Sequence, residues 1–116
     1  MNCVFCEIVA GRSPARIRFE DDDCIVFENV LGWTPTMLLV CPKQHLTQAE
    51  AWTSLIGKLG PLAVEMGEKY CPKGYRIVSN FGADAEQSQQ HAHLHVLGGR
   101  FLGYYIDGQR GPTFWR

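Results

Sequence analysis

Long apolar runs are missing from this chain. No segment approaches the ~20 consecutive apolar residues that a membrane-spanning helix needs, so a membrane partner is not expected. Charge of one sign is missing too. Eleven basic and twelve acidic side chains leave a net charge of −1 over 116 residues, so no overall field favours nucleic acid or an anionic lipid surface. No G-x-x-x-x-G-K-S/T loop occurs, which excludes the P-loop enzymes. There is no internal repeat and no stretch that reads as an interdomain linker. The first residues, Met1 to Glu7, lack the basic-then-apolar order of a signal peptide. Cysteines number five, an odd set without secretory context, and are read as reduced thiols of a cytoplasmic protein. With 46% hydrophobic residues, the expectation is one compact domain over residues 1–116.

Histidine is scarce, and its placement is uneven. Three of the four histidines fall in Gln87-Ser88-Gln89-Gln90-His91-Ala92-His93-Leu94-His95-Val96-Leu97-Gly98-Gly99-Arg100. They alternate with Ala92, Leu94 and Val96, which is the period of a strand. One face then carries three imidazoles and the other packs on a core. Same-face neighbours on a strand lie roughly 6.6 Å apart, so the row spans on the order of 13 Å. Buried imidazoles serve stability poorly, because each ring nitrogen needs a partner.

Around that stretch the chain reads in order as follows. Cys3 to Ala10 forms one or two helical turns, which Gly11 ends. Ala15 to Glu20 and Cys24 to Asn29 are strands, joined by the charged turn Asp21-Asp22-Asp23. Thr36 to Cys41 is a short, nearly unbroken apolar run, read as a buried central strand that Pro42 stops. Thr47 and Glu50 form a capping box for a helix running to about Tyr70, with a kink or break expected near Pro61. Tyr75 to Asn80 is a strand. A polar loop, residues 81–90, leads to the histidine strand. Residues 101–116 are a tail with Tyr104, Tyr105, Phe114 and Trp115. Tight turns between strands suggest an α+β antiparallel meander with helices on one face. The helix between Cys41 and Tyr75 would equally allow a parallel crossover.

Two constellations carry chemistry. A neutral imidazole attacks phosphorus well and shuttles protons near neutral pH. Asn80, Gln87 and Ser88 offer uncharged donors suited to phosphate oxygens. The competing readings of the histidines are a His-x-His metal centre and a hydrogen-bonded structural core. Cys3-x-x-Cys6 is either a redox pair or half a zinc site. The second half would come from His45 and one histidine of the row.

Taken together, Asn80-x-Gly82, Gln87-Ser88 and His91-Ala92-His93-Leu94-His95-Val96-Leu97-Gly98-Gly99-Arg100 resemble the histidine-triad (HIT) superfamily, in its Hint-like nucleotide-binding branch. Phe5, Glu7-Ile8-Val9, Pro14, Phe19-Glu20-Asp21-Asp22, Phe27, Val40-Cys41-Pro42-Lys43-Gln44-His45 and Gly74-Tyr75-Arg76 extend the likeness over roughly residues 3–100. The resemblance implies a mainly antiparallel five-stranded sheet with one long and one short helix, joined to a second sheet across a homodimer. It implies hydrolysis of nucleoside 5′-phosphoramidates or related phosphoanhydrides, with a purine nucleoside monophosphate derivative as substrate, through a nucleotidyl-histidine intermediate. His93 falls at the nucleophile, flanked by His91 and His95, and Ser88 lies where the leaving group is protonated. Phosphate contacts fall on Asn80, Gln87, Ser88 and His95, and base contacts on Phe5, Phe27 and Val30. Asn29 stands where the branch has a ribose-binding acid, and Ser13 where it has an apolar base-pocket residue. In zinc-carrying members the ligands fall on Cys3, Cys6, His45 and His91, a structural zinc that the chemistry does not require. The alternative implied is a nucleotide-binding or scaffolding protein with weak hydrolase activity.

Overall fold

The computed structural model describes residues 3–104. Of the aromatic tail, Tyr105, Phe114 and Trp115 lie outside that range. Strands β1 (Ile17–Glu20), β2 (Cys24–Glu28), β3 (Thr36–Pro42), β4 (Tyr75–Val78) and β5 (Leu94–Gly98) form one sheet in the order β1-β2-β3-β5-β4. Every neighbouring pair is antiparallel. Both β3 and β4 run against β5, so they point the same way with β5 inserted between them. The helical crossover and the antiparallel sheet are therefore both present. Among the described residues no helix is long and apolar enough to cross a membrane.

β2 and β3 are buried on both faces, so each face needs a cover. Helix α3 (Ile56–Tyr70) covers one face, where Leu59, Leu62, Ala63 and Met66 meet Val26, Leu38, Val40, Leu94 and Val96. The short helix α1 (Val4–Val9) covers part of the other, setting Phe5 and Ile8 on Ile25, Phe27, Leu39 and Cys41. Helices thus lie on both faces, not on one as the sequence suggested. The doubly apolar β2 and β3 leave no face that water could cover cheaply.

The long helix is broken, but not at Pro61. Helix α2 (Gln48–Ser54) ends at Leu55 and α3 starts at Ile56, with Pro61 inside it. At the break, the hydroxyls of Thr53 and Ser54 bond back to the carbonyls of Ala49 and Glu50. Such back-bonding competes with helix continuation. The capping box at the start of α2 is present: Glu50 N–H donates to Thr47 Oγ1 (3.1 Å) and Thr47 N–H to Glu50 Oε1 (2.8 Å).

β5 alternates as the sequence predicts. Leu94 and Val96 face the α3 core, while His95 faces the α1 side. Its last residue, Gly98, lies under Cys71. A methyl at Gly98 would sit 2.6 Å from Cys71 Sγ and 3.2 Å from the Gly74 carbonyl, a backbone atom that cannot yield. Gly98→Ala is expected to cost about 1–3 kcal/mol, as overpacking does. Gly60→Ala, in open space on α3, should be neutral or gain up to about 1 kcal/mol. Urea unfolding of both variants checks the contrast.

Candidate functional site

Only His95 of the three alternating histidines belongs to a strand; His91 and His93 lie in the extended segment that leads into β5. The ladder with β3 ends at Val40↔Leu94. Beyond it, residues that follow β3 take over the pairing. The Ala92 N–H donates to the Leu46 carbonyl (2.8 Å), and the Gln48 side chain holds His93. The alternation survives without the strand: His91, Ala92 and His93 are buried and His95 is half-buried.

A chain of backbone carbonyls orients the rings. His91 Nε2–H donates to the Pro42 carbonyl (2.7 Å), which leaves Nδ1 as the lone-pair nitrogen. His93 Nδ1–H donates to the His91 carbonyl (2.8 Å), which leaves Nε2 unprotonated. The His93 and His95 ring centroids are 5.0 Å apart. Phe5 stands edge-on to His93 at 5.2 Å, to His91 at 5.7 Å and to Phe27 at 5.4 Å. One aromatic ring of α1 thereby packs against two of the three imidazoles and against β2.

Burial lowers the proton affinity of these rings. It pulls His93 below the usual histidine range, with the bond to the His91 carbonyl opposing. Burial, with His93 adding to it, brings His95 down to about 4. All three rings are therefore held neutral near pH 7, the form in which imidazole has a free lone pair.

Behind the row lies a second cluster. The ligand atoms of Cys3, Cys6, His45 and His91 all fall within 4.8 Å of one another. His91 Nδ1 is 3.5 Å from Cys3 Sγ, 3.6 Å from Cys6 Sγ and 3.2 Å from His45 Nδ1. His45 Nδ1 is 3.3 Å from Cys6 Sγ. A tetrahedral ion at the bond lengths usual for zinc would separate its ligands by roughly 3.3 Å (N to N) and 3.5 Å (N to S). These four residues could hold a metal ion on that geometry. The bond from His91 Nε2 to Pro42 is the outer-shell partner that metal-ligating histidines normally have. The Cys6 amide donates to Cys3 Sγ (3.4 Å), so the first turn of α1 shapes half of the set. Cys24, Cys41 and Cys71 are free, buried thiols outside this set of four; Cys41 shares the α1-side core with Cys3, and burial pushes it well above the ordinary thiol range.

The remaining candidates divide. Gln87 spends its amide on its own loop, accepting from the Gly82 N–H (2.8 Å) and donating to the Gln89 carbonyl (2.9 Å). It follows Glu86, whose φ of 60° is the one positive value among the described non-glycine residues. Ser88 is exposed with a free hydroxyl, and Asn80 is half-buried with its carbonyl on the Gln48 amide. Val30 is 98% exposed at a loop tip, outside the packed ring group. The Asn29 Oδ1 accepts from the Leu31 N–H (3.0 Å), an Asx turn that occupies one of its two lone pairs. Ser13 is half-buried beyond α1.

One residue of the site escaped the sequence reading. Gln48 is only 4% exposed and its amide bonds His93 at both backbone groups. The available signal was a polar residue on the inward stripe of α2, in register with Ala51.

A family model described as the HIT domain matches residues 10–102. An uncharacterized HIT-like protein of Synechococcus elongatus is 35% identical over 106 residues, covering 87% of this chain and 93% of the relative. The crystal structure of a HIT family hydrolase from Legionella pneumophila superposes with a TM-score of 0.82 at 32% identity, covering 90% of this chain and 98% of that one. A Zn-bound histidine triad family protein from Mycobacterium smegmatis gives a TM-score of 0.70 at 29% identity, with coverage of 97% and 85%.

The depressed His95 has a consequence for stability. Its folded value of about 4 lies below the unfolded value of ~6.5, so the unfolded chain takes up the proton first. The stability that neutral His95 represents is full above pH ~6.5 and is lost as pH falls toward 4. Between pH 7 and pH 5 the loss should be of order 1–2 kcal/mol. His95→Gln should flatten that part of the profile, as urea midpoints at the two pH values would show. With the family model, the relatives and the fold in agreement, this chain belongs to the HIT family.

Proposed function

We propose that this protein is a nucleotidyl hydrolase or transferase that cleaves nucleoside 5′-phosphoramidates or related phosphoanhydrides through a nucleotidyl-His93 intermediate. The observation that carries this reading is the bond from His93 Nδ1–H to the His91 carbonyl (2.8 Å). It fixes the tautomer and leaves Nε2 with its lone pair beside His95. The name of the Legionella pneumophila relative, a HIT family hydrolase, supports the reaction class.

In the first step His93 Nε2 attacks the α-phosphorus. The P–N(His93) bond forms, the bond to the leaving amine or phosphate breaks, and the leaving group takes a proton through Ser88 or the imidazole cluster. In the second step water attacks the same phosphorus, the P–N(His93) bond breaks, and the nucleoside monophosphate departs. Two displacements replace one difficult displacement. The low proton affinity of His93 suits a nucleophile that must be neutral at pH 7. Asn80, Ser88 and His95 contact phosphate oxygens, Gln87 shapes the loop that presents Ser88, and Phe5, Phe27 and Val30 form the base side. Asn29 meets the ribose hydroxyls through its side-chain amide, whose nitrogen donates and whose oxygen, bonded to the Leu31 N–H, keeps a second lone pair.

The metal in this reading is one zinc ion, held by Cys3, Cys6, His45 and His91, and the Zn-bound relative from Mycobacterium smegmatis supports that choice. A closed Cys₂His₂ set offers no open position, so the ion would supply structure rather than chemistry. A homodimer through β4 is part of the same reading. β4 is an edge strand with Ile77 39% exposed, and an uncovered edge of that kind invites a second copy.

His93→Ala decides the central point. It removes the attacking nitrogen and little apolar area, so the fold and nucleoside monophosphate binding should persist while kcat falls by about 10³-fold or more. A radiolabelled adenosine phosphoramidate should leave label on His93 of quenched wild-type enzyme. Turnover retained by the variant, or label on another residue, would contradict the assignment. A wild type that binds nucleotide but turns nothing over would point to a binding protein.

A further inference from the structure

We infer that Gln48 is a positioning residue: its primary amide stands in for a missing strand and fixes the backbone that carries His93. The inference rests on the nucleophilic role proposed for His93. Three bonds define the clamp. Gln48 Oε1 accepts from the His93 N–H (3.1 Å), and Gln48 Nε2 donates to the His93 carbonyl (3.1 Å) and to the Asn80 carbonyl (3.0 Å).

A primary amide has the same donor and acceptor as a peptide unit. Its two hydrogen bonds to His93 copy the paired N–H···O exchange of an antiparallel ladder. That copy is needed at this position, because the β3–β5 ladder stops at Val40↔Leu94 and the next residue back is the nucleophile. A backbone hydrogen bond continues the pairing one residue further on, from the Ala92 N–H to the Leu46 carbonyl. Residues 45–48 therefore line the histidine segment as a surrogate strand, with Gln48 opposite His93.

Two features make the clamp stiff. The capping box of Thr47 and Glu50 fixes where α2 begins, and Gln48 is its first residue. The amide is buried, so water does not compete for its bonds. The third bond adds a second function. By holding the Asn80 carbonyl, the same amide sets the distance between the nucleophile and a residue on the phosphate side. A misplacement of about 1 Å at a reacting atom costs on the order of 10²-fold in rate, and no other side chain among the described residues bonds the His93 backbone.

The test is Gln48→Met, of similar length but without donor or acceptor, beside Gln48→Glu, which keeps the acceptor and loses both donors. Turnover of an adenosine phosphoramidate is measured together with hydrogen exchange of the His93 amide and binding of adenosine monophosphate. For Gln48→Met the expected result is a kcat about 10²-fold lower, a KM and nucleotide Kd within about threefold of wild type, and faster exchange at His93. Gln48→Glu should keep most of the amide protection and still lose kcat, because the two carbonyls go unpaired. Should Gln48→Met fail to fold, Gln48→Asn, which keeps the chemistry and shortens the reach, replaces it with the same expectations. A kcat within threefold of wild type despite accelerated exchange would overturn the positioning role. Unchanged exchange at His93 would overturn the clamp itself. A wild type without turnover would count against the proposed function, and the exchange measurement would still decide the clamp.

Discussion

The convergence of Cys3, Cys6, His45 and His91 within 4.8 Å is the constraint on which the rest of the site depends. It joins three separate parts of the chain: the first turn of α1, the segment after β3, and the residues leading into β5. α1 is six residues long, too short to be stable as an isolated helix. Held at its first turn by Cys3 and Cys6, it sets Phe5 against Phe27, His91 and His93. The aromatic wall beside the imidazoles is thus a consequence of the cluster behind them.

From the cluster, order passes forward through the backbone. His91 Nδ1 faces the two sulfurs and His45, so its Nε2 must carry the proton that bonds Pro42. The fixed His91 backbone then presents its carbonyl to His93 Nδ1, and His93 is left with Nε2 free. Each tautomer determines the next. Burial keeps the row neutral, so a histidine cluster that would be partly charged in water is a set of lone pairs in the fold. The Gln48 amide completes the arrangement from the α2 side.

The sequence made some of this legible. The alternation of His91, His93 and His95 with Ala92, Leu94 and Val96 is a local pattern, and it predicted which side chains share a face. Cys3-x-x-Cys6 was legible as either a redox pair or half a metal site, and the spacing alone did not choose; the structure brings His45 and His91 to it. The capping box at Thr47 was equally local. What escaped needed tertiary information. Gln48 acts on a residue 45 positions away, and although it shares the inward stripe of α2 with Ala51, its own window does not name His93 as its partner. The helix break went to Leu55 rather than Pro61 because Thr53 and Ser54 compete for carbonyls, whereas a proline inside a packed helix was tolerated. Asn29 stands at the ribose position by resemblance alone, and its part in a turn, accepting from the Leu31 N–H, was not legible beside that. The second face of the sheet needed α1 because β2 and β3 are apolar on both sides, a demand visible only once the strand order is known.

Backbone hydrogen exchange with and without a chelator tests the cluster most directly. Protein purified without chelator should carry one zinc ion per chain. On its removal, amides of residues 4–9 and 91–93 should lose protection together, by about tenfold or more, while those of β2 and β3 stay unchanged. A protein that carries no metal, or one whose α1 and histidine segment keep full protection after chelation, would contradict the account.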